Sequence, residues 1–169
     1  MKNKPILDAC CGARMFYFDK KDASVLFQDI RTLETTLCDG RRFEIKPDIQ
    51  ADFTAMPYGD GTFSMVVFDP PHLKCAKEQR QCSGWQMKKY GSLPKKGWES
   101  TLSRGFRECF RVVKKHGFVI FKWSEVDIPL TRVLALSPYA PVLGHKSGKR
   151  QNTHWVLFIK DKTHKRNER

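Results

Sequence analysis

Four short segments of this chain carry acids or small residues at intervals that could serve a single ligand. The first is Asp8-Ala9-Cys10-Cys11-Gly12-Ala13-Arg14, directly after the apolar run Pro5-Ile6-Leu7. Asp29 closes V-L-F-Q-D, 21 residues after Asp8, and Asp52-Phe53 closes I-Q-A-D-F. Asp69-Pro70-Pro71-His72 follows F-S-M-V-V-F. A tight turn of small residues such as Ala9, Cys10 and Gly12 lets backbone N–H groups approach a ligand closely. A carboxylate about 20 residues later can accept both hydroxyls of a ribose. The Asp52 carboxylate can accept from an adenine amino group while Phe53 flanks the ring. The G-x-G-x-x-G turn that cradles a pyrophosphate is absent, so an adenosine ligand lacking a pyrophosphate fits better.

These residues need elements to hold them. Pro5 to Cys11, Ser24 to Ile30, Phe63 to Phe68, Phe118 to Trp123 and His154 to Ile159 read as strands, several of them apolar enough to be covered on both faces. Leu102, Phe106, Cys109 or Phe110, and Val113 recur at helical spacing and predict a helix over Trp98 to His116, stopped by Gly117. Pro129 predicts a shorter helix over Leu130 to Leu136. Leu33 to Cys38 and Arg42 to Ile45 flank Asp39-Gly40, which predicts a β-hairpin in place of a helix between the second and third strands. Strands alternating with helical segments predict an α/β fold: a mostly parallel Rossmann-like sheet with an antiparallel last strand and helices on both faces. In such sheets ligands sit at the carboxyl ends of the strands, where the four segments fall.

The order and spacing of these segments resemble a class I S-adenosylmethionine-dependent methyltransferase over roughly Pro5 to Ile159. Asp8 to Gly12 is similar to the first motif of that family and Asp29 to its ribose-binding acid. The specific part is A-D-F-T-A-M-P-Y-G-D-G-T-F-S-M-V-V-F-D-P-P-H, which resembles the stretch from the adenine-binding acid to the catalytic motif. The resemblance implies S-adenosyl-L-methionine as cofactor, with S-adenosyl-L-homocysteine as product. It implies Asp8, Ala9, Cys10, Gly12, Asp29, Asp52, Phe53 and Asp69 as cofactor-binding residues and Asp69, Pro70, Pro71 and His72 as catalytic ones. Family members with D-P-P and an aromatic methylate planar exocyclic amino groups: adenine N6, cytosine N4, guanine N2 or, in the N-P-P relatives, a glutamine amide. The short form resembles enzymes of bacteriophages and prophages. This chain departs from the pattern at Arg14, where the second glycine usually stands, and at His72, where Tyr, Phe or Trp is commoner and where protonation would matter near pH 6.5.

The chemistry explains the motif. An exocyclic amino nitrogen is a poor nucleophile because its lone pair is delocalised into the ring. The Asp69 carboxylate and the Pro70 carbonyl, placed on its hydrogens, would favour a pyramidal nitrogen. The two prolines stiffen the loop, and His72 would stack on the target ring. Lys122, at the end of the fifth strand, reads as a surface lysine or as the lysine of a 2′-O transferase, and D-P-P argues against the second.

Composition sets the partner. The 169 residues carry 31 Lys and Arg against 18 Asp and Glu, a net charge of +13, which points to a polyanion. No apolar run approaches the ~18 residues of a membrane span. Met1-Lys2-Asn3-Lys4 running straight into Pro5 offers no secretory segment, so a cytoplasmic protein is expected. One domain, 1–169, is expected, with a basic loop at about 72–98 and a basic tail at about 160–169. Within the loop, Lys74, Lys77, Arg80, Trp85, Lys88, Lys89 and Tyr90 interleave cations with aromatics, which suits phosphate contact and base stacking. Six cysteines form no C-x-x-C pair, and His72 with Cys75 and Cys82 lacks a fourth ligand, so free thiols and no metal are expected.

The expected activity is N-methylation of nucleic acid, DNA before RNA, with adenine N6 the first candidate and target recognition delegated to loops, a second subunit or a partner protein. The alternatives are a decayed nucleic-acid-binding module on the same fold, and an N-methyltransferase of a protein glutamine or a small amine.

Overall fold

The computed structural model describes residues 4–37, 39–74, 85–147 and 152–166. Segments of two to twelve residues, many of them apolar, pair as strands. In chain order they are β1 (Ile6–Asp8), β2 (Val25–Asp29), β3 (Leu33–Thr36), β4 (Arg42–Ile45), β5 (Ile49–Gln50) and β6 (Phe63–Phe68). Helices α1 (Trp85–Tyr90) and α2 (Trp98–Val112) follow, then β7 (Val113–Ser124), α3 (Leu130–Leu134), β8 (Leu143–Ser147) and β9 (Thr153–Ile159). One seven-stranded sheet runs β5-β2-β1-β6-β7-β9-β8, and β3 with β4 forms the separate hairpin expected between the second and third strands of the sheet. The first five strands of that order are mutually parallel; β9 runs antiparallel to both neighbours. The sheet is the mostly parallel Rossmann-like one, with its antiparallel last strand.

Register divides the sheet into two faces. Leu7, Leu26, Val66, Val119 and Phe158 align across the strands on one face, and all belong to the main core. The apolar stripe of α2 lies on that face, where Phe106 meets Phe68, Phe121 and Phe158 at ring-centroid distances of 5.4, 5.0 and 6.0 Å. Each phenyl ring so buried contributes about 1.5–3 kcal/mol. Trp123 shares this face and donates its indole N–H to the Ile128 carbonyl at 2.9 Å, just before α3.

The other face departs from expectation. It carries Ile6, Val25 and Phe27, which pack with Cys11 and Tyr17 of the β1–β2 connection. That connection folds as turns rather than a helix. Further along the same face Phe118 remains 43% exposed. Among the described residues, then, helices α2 and α3 lie against one face and a turn-rich segment stands in for the second helical layer.

The predicted helix also ends early. Val113 adopts extended geometry (φ −77°, ψ 142°) and pairs with Phe63, so α2 stops at Val112 and Lys114 to His116 begin β7. His116 sits at φ 62° in the bulge that restores pairing at Met65 and Phe118. Gly117 serves a close approach rather than a helix stop: a Cβ there would lie 2.7 Å from the Ser64 carbonyl oxygen.

Candidate active site

The turn after β1 is pinned from both sides. The Ala9 N–H donates to the Val67 carbonyl (2.9 Å) and the Cys11 N–H to that of Gln28 (2.8 Å), which hangs the turn between β6 and β2. Gly12 takes φ 48°, a conformation costly for other residues, and its N–H donates to Asp29 Oδ2 at 2.9 Å. Arg14 also adopts positive φ, 56°, and its side chain leaves the turn. Its guanidinium lies 3.9 Å from the Phe27 ring centroid and donates to the Lys20 carbonyl, the Lys46 carbonyl and Asp48 Oδ1. The residue in the position of the missing glycine therefore braces the loop.

Asp29 is buried and accepts from Gly12 on one oxygen and from the Arg31 backbone N–H (2.9 Å) and Nε (3.3 Å) on the other. A carboxylate has about four lone-pair sites, so capacity remains for a ligand hydroxyl. Asp52 Oδ1 accepts the Thr54 N–H at 2.8 Å, closing the local turn that sets Phe53. Phe53 packs edge-on to Phe68, with centroids 5.3 Å apart.

At the end of β6, Asp69 meets Lys122 from β7: the ammonium lies 3.2 Å from both carboxylate oxygens. Burial pushes Asp69 above the ordinary carboxylate range, and the Lys122 charge opposes that shift. His72 packs 5.6 Å from Tyr90 and 6.3 Å from Trp123, centroid to centroid. Its pKa is lowered to about 4 by burial first and by Lys122 second, so the imidazole is neutral at physiological pH. The proton sensitivity expected near pH 6.5 is thus moved down to about pH 4.

These segments meet at one cavity of about 300 Å³. Its wall takes in Ala9, Cys10, Gly12, Asp29, Phe53, Asp69, Pro70, Pro71, His72, Lys89 and Tyr90 among the expected residues. Asp8 and Asp52 are not on the wall. Asp8 is wholly buried behind it, where Oδ1 accepts the Cys10 N–H at 3.2 Å and the Tyr17 hydroxyl is a neighbour; desolvation raises its pKa to about 7. Burial likewise raises the Cys10 thiol, which is unreactive as a thiolate there.

Of the basic loop, Lys74 lies at the base, where its backbone N–H donates to Asp127 Oδ2 at 2.8 Å. Lys77 and Arg80 lie outside the described residues, as do the side chains of Trp85 and Lys88 in α1. Sequence reasoning underweighted Lys122 and missed Met15, Phe16, Arg31 and Phe43, all on the wall. The signal available for Lys122 was its place at the carboxyl end of a parallel strand beside Asp69. Phe16 joins the wall only because its ring packs on Trp155 (5.0 Å) and within 4.9 Å of the Lys122 ammonium, contacts between segments far apart in sequence.

Comparison with known proteins places the fold. No family model matches the chain, and no curated protein matches it in sequence. A crystal structure of a protein from Pyrococcus horikoshii OT3 superposes with a TM-score of 0.59 at 15% identity, over 92% of this chain and 81% of that one. A structure described as a SAM-dependent methyltransferase from Methanosarcina mazei superposes with a TM-score of 0.54 at 11% identity, over 95% of this chain and 93% of that one. What both share with this chain is the fold, a mostly parallel Rossmann-like sheet.

Proposed function

We propose that this chain is an S-adenosylmethionine-dependent methyltransferase acting on an exocyclic amino group of nucleic acid, with adenine N6 of DNA as the substrate atom. The observation that carries the reading is one cavity shared by the Gly12 turn, Asp29, Phe53 and the whole of Asp69-Pro70-Pro71-His72.

The residues present fit the cofactor. Gly12 lies on the wall with open space where a Cβ would stand. Asp29 would accept the ribose hydroxyls, Phe53 would flank the adenine, and the Ala9–Gly12 turn would lie along the amino-acid end. When bound, S-adenosylmethionine supplies an activated methyl group. The protein's work is alignment of an amine with it.

Asp69 and the Pro70 carbonyl would accept the two hydrogens of the amine and hold the nitrogen with its lone pair exposed. Pro70 and Pro71 fix their φ angles and keep that carbonyl in place. Neutral His72, backed by Tyr90, presents an uncharged ring to the base. Lys122 is engaged with Asp69, which favours a role in keeping that carboxylate ionised over activation of a hydroxyl.

The test is incubation with S-adenosylmethionine and DNA or RNA, digestion to nucleosides and mass spectrometry. N6-methyldeoxyadenosine is the expected product. A methylated pyrimidine or guanine would move the assignment to another base, and methyl groups found on protein would overturn the nucleic-acid reading.

A further inference from the structure

The β3–β4 hairpin turns one apolar side inward. Along β4 burial alternates: Phe43 and Ile45 are buried, while Arg42 and Glu44 are exposed. Across the ladder Phe43 pairs with Thr35 and Ile45 with Leu33, and on the outer side Arg42 is ion-paired to Glu34 at 2.7 Å. A two-stranded hairpin is marginal by itself, so what its inner side packs on matters. Among the described residues, neither Phe43 nor Ile45 belongs to the apolar packing on the two faces of the sheet. Phe43 instead lies on the wall of the proposed catalytic cavity, together with Asp29, Ile30 and Phe53.

The turn after β1 holds the hairpin in that place. The Arg14 guanidinium donates to the Lys46 carbonyl at 2.7 Å and to Asp48 Oδ1 at 3.0 Å, just where the chain leaves β4. Asp48 Oδ2 accepts from the Lys4 ammonium at 2.7 Å, and the Asp48 N–H donates to the Phe27 carbonyl at 2.8 Å, which ties the exit to β2 as well. Sheet order says which part of the cavity the hairpin walls. It is inserted between β2 and β5, on the same side of β1 as Asp29 and Ile30. Asp69 to His72 follow β6, and Lys122 belongs to β7, both on the other side of β1. Phe43 therefore belongs to the half with the proposed ribose-binding acid, away from the residues that would receive the target base.

We propose that Phe43 packs on the adenosine moiety of the cofactor, and that Arg14 positions it there by clamping the hairpin to the β1 turn. The proposal rests on the cofactor reading above and adds a binding surface supplied by the hairpin that replaces a helix. With Ile30 and Phe53 on the same wall, the Phe43 ring gives a flat aromatic ligand an apolar enclosure. Arg14 thereby has a use at a position where glycine would take the positive φ of 56° without strain.

The experiment is calorimetric titration with S-adenosylhomocysteine and with methylthioadenosine, which lacks the amino-acid end. The proteins are wild type, Phe43→Ala, Phe43→Leu, Arg14→Gly and the Arg14→Gly/Phe43→Ala double variant, each checked by thermal unfolding. Phe43→Ala should bind both ligands roughly tenfold more weakly, by the same factor, because the lost contact is to the part they share. Phe43→Leu keeps an apolar side chain under the hairpin and loses the flat ring, so it should unfold as wild type does and bind roughly threefold more weakly; it decides the matter if Phe43→Ala fails to fold. Arg14→Gly should also weaken binding, although it supplies the glycine usual at that position. In the Phe43→Ala background it should add little, because Arg14 acts through Phe43. Wild-type affinity in a folded Phe43→Ala, or in Phe43→Leu, would overturn the contact and leave the cofactor reading intact. A loss confined to S-adenosylhomocysteine would overturn the adenosine assignment. Tighter binding by Arg14→Gly, or full additivity in the double variant, would overturn the positioning role. A wild type that binds neither ligand would overturn the cofactor reading itself.

Discussion

A carboxylate that must accept from an amine works only while ionised, and at Asp69 two influences compete. Burial raises its pKa; the ammonium of Lys122, 3.2 Å from both oxygens, lowers it. Removing the ammonium leaves burial unopposed, so the pKa of Asp69 must rise. Lys122→Met should therefore shift the acidic limb of the rate–pH profile to higher pH and reduce methyl transfer at neutral pH by about 10-fold or more. An unshifted acidic limb in that variant would contradict this role. His72, held neutral down to a pKa of about 4, should add no inflection between pH 5 and 8. At this scale the sequence was informative about residue types and silent about environment. Asp69, Pro70, Pro71 and His72 were legible because D-P-P-H is contiguous. The neutrality of His72 and the partner of Lys122 were not, since both arise from packing across 50 residues of chain.

Among the elements, α2 connects the core to the cavity through a contact only glycine permits. A Cβ at Gly105 would lie 2.7 Å from a ring carbon of Phe53 and 2.8 Å from one of Phe68. Phe68 is wholly buried, so it cannot retreat, while Phe53 borders the cavity. Gly105→Ala should cost about 1–3 kcal/mol of stability and weaken cofactor binding by displacing Phe53. Thermal unfolding and calorimetric titration check it; wild-type values in both would contradict the contact. The strands and the β3–β4 hairpin were readable from runs and turn signals, because Asp39-Gly40 and the flanking alternation are local. The end of α2 was not. Lys114, Lys115 and His116 suit a last helical turn, and the pairing of Val113 with Phe63 overrides that preference. The turn-rich β1–β2 connection was equally illegible, because its anchors Arg14 and Tyr17 find their partners only in the folded sheet.

As a whole molecule, this chain builds the seven-stranded sheet with turns and a hairpin where a doubly wound fold places helices. The consequence is a sheet face that stays partly open, with Phe118 at 43% exposure and Leu143 at 61%. No described helix is long and apolar enough to cross a membrane. The cavity lies at the carboxyl ends of β1, β2 and β6, where Rossmann-like sheets hold their ligands. The surplus of +13 charges belongs to a molecule whose proposed partner is a polyanion. That one crevice holds a cofactor and orients a flat amine is the claim on which the other readings stand. Asp69→Ala tests it most directly when cofactor binding and methyl transfer are measured on the same sample. The account predicts saturable cofactor binding close to that of wild type and no detectable transfer; normal turnover by Asp69→Ala, or no cofactor binding by the wild type, would contradict it.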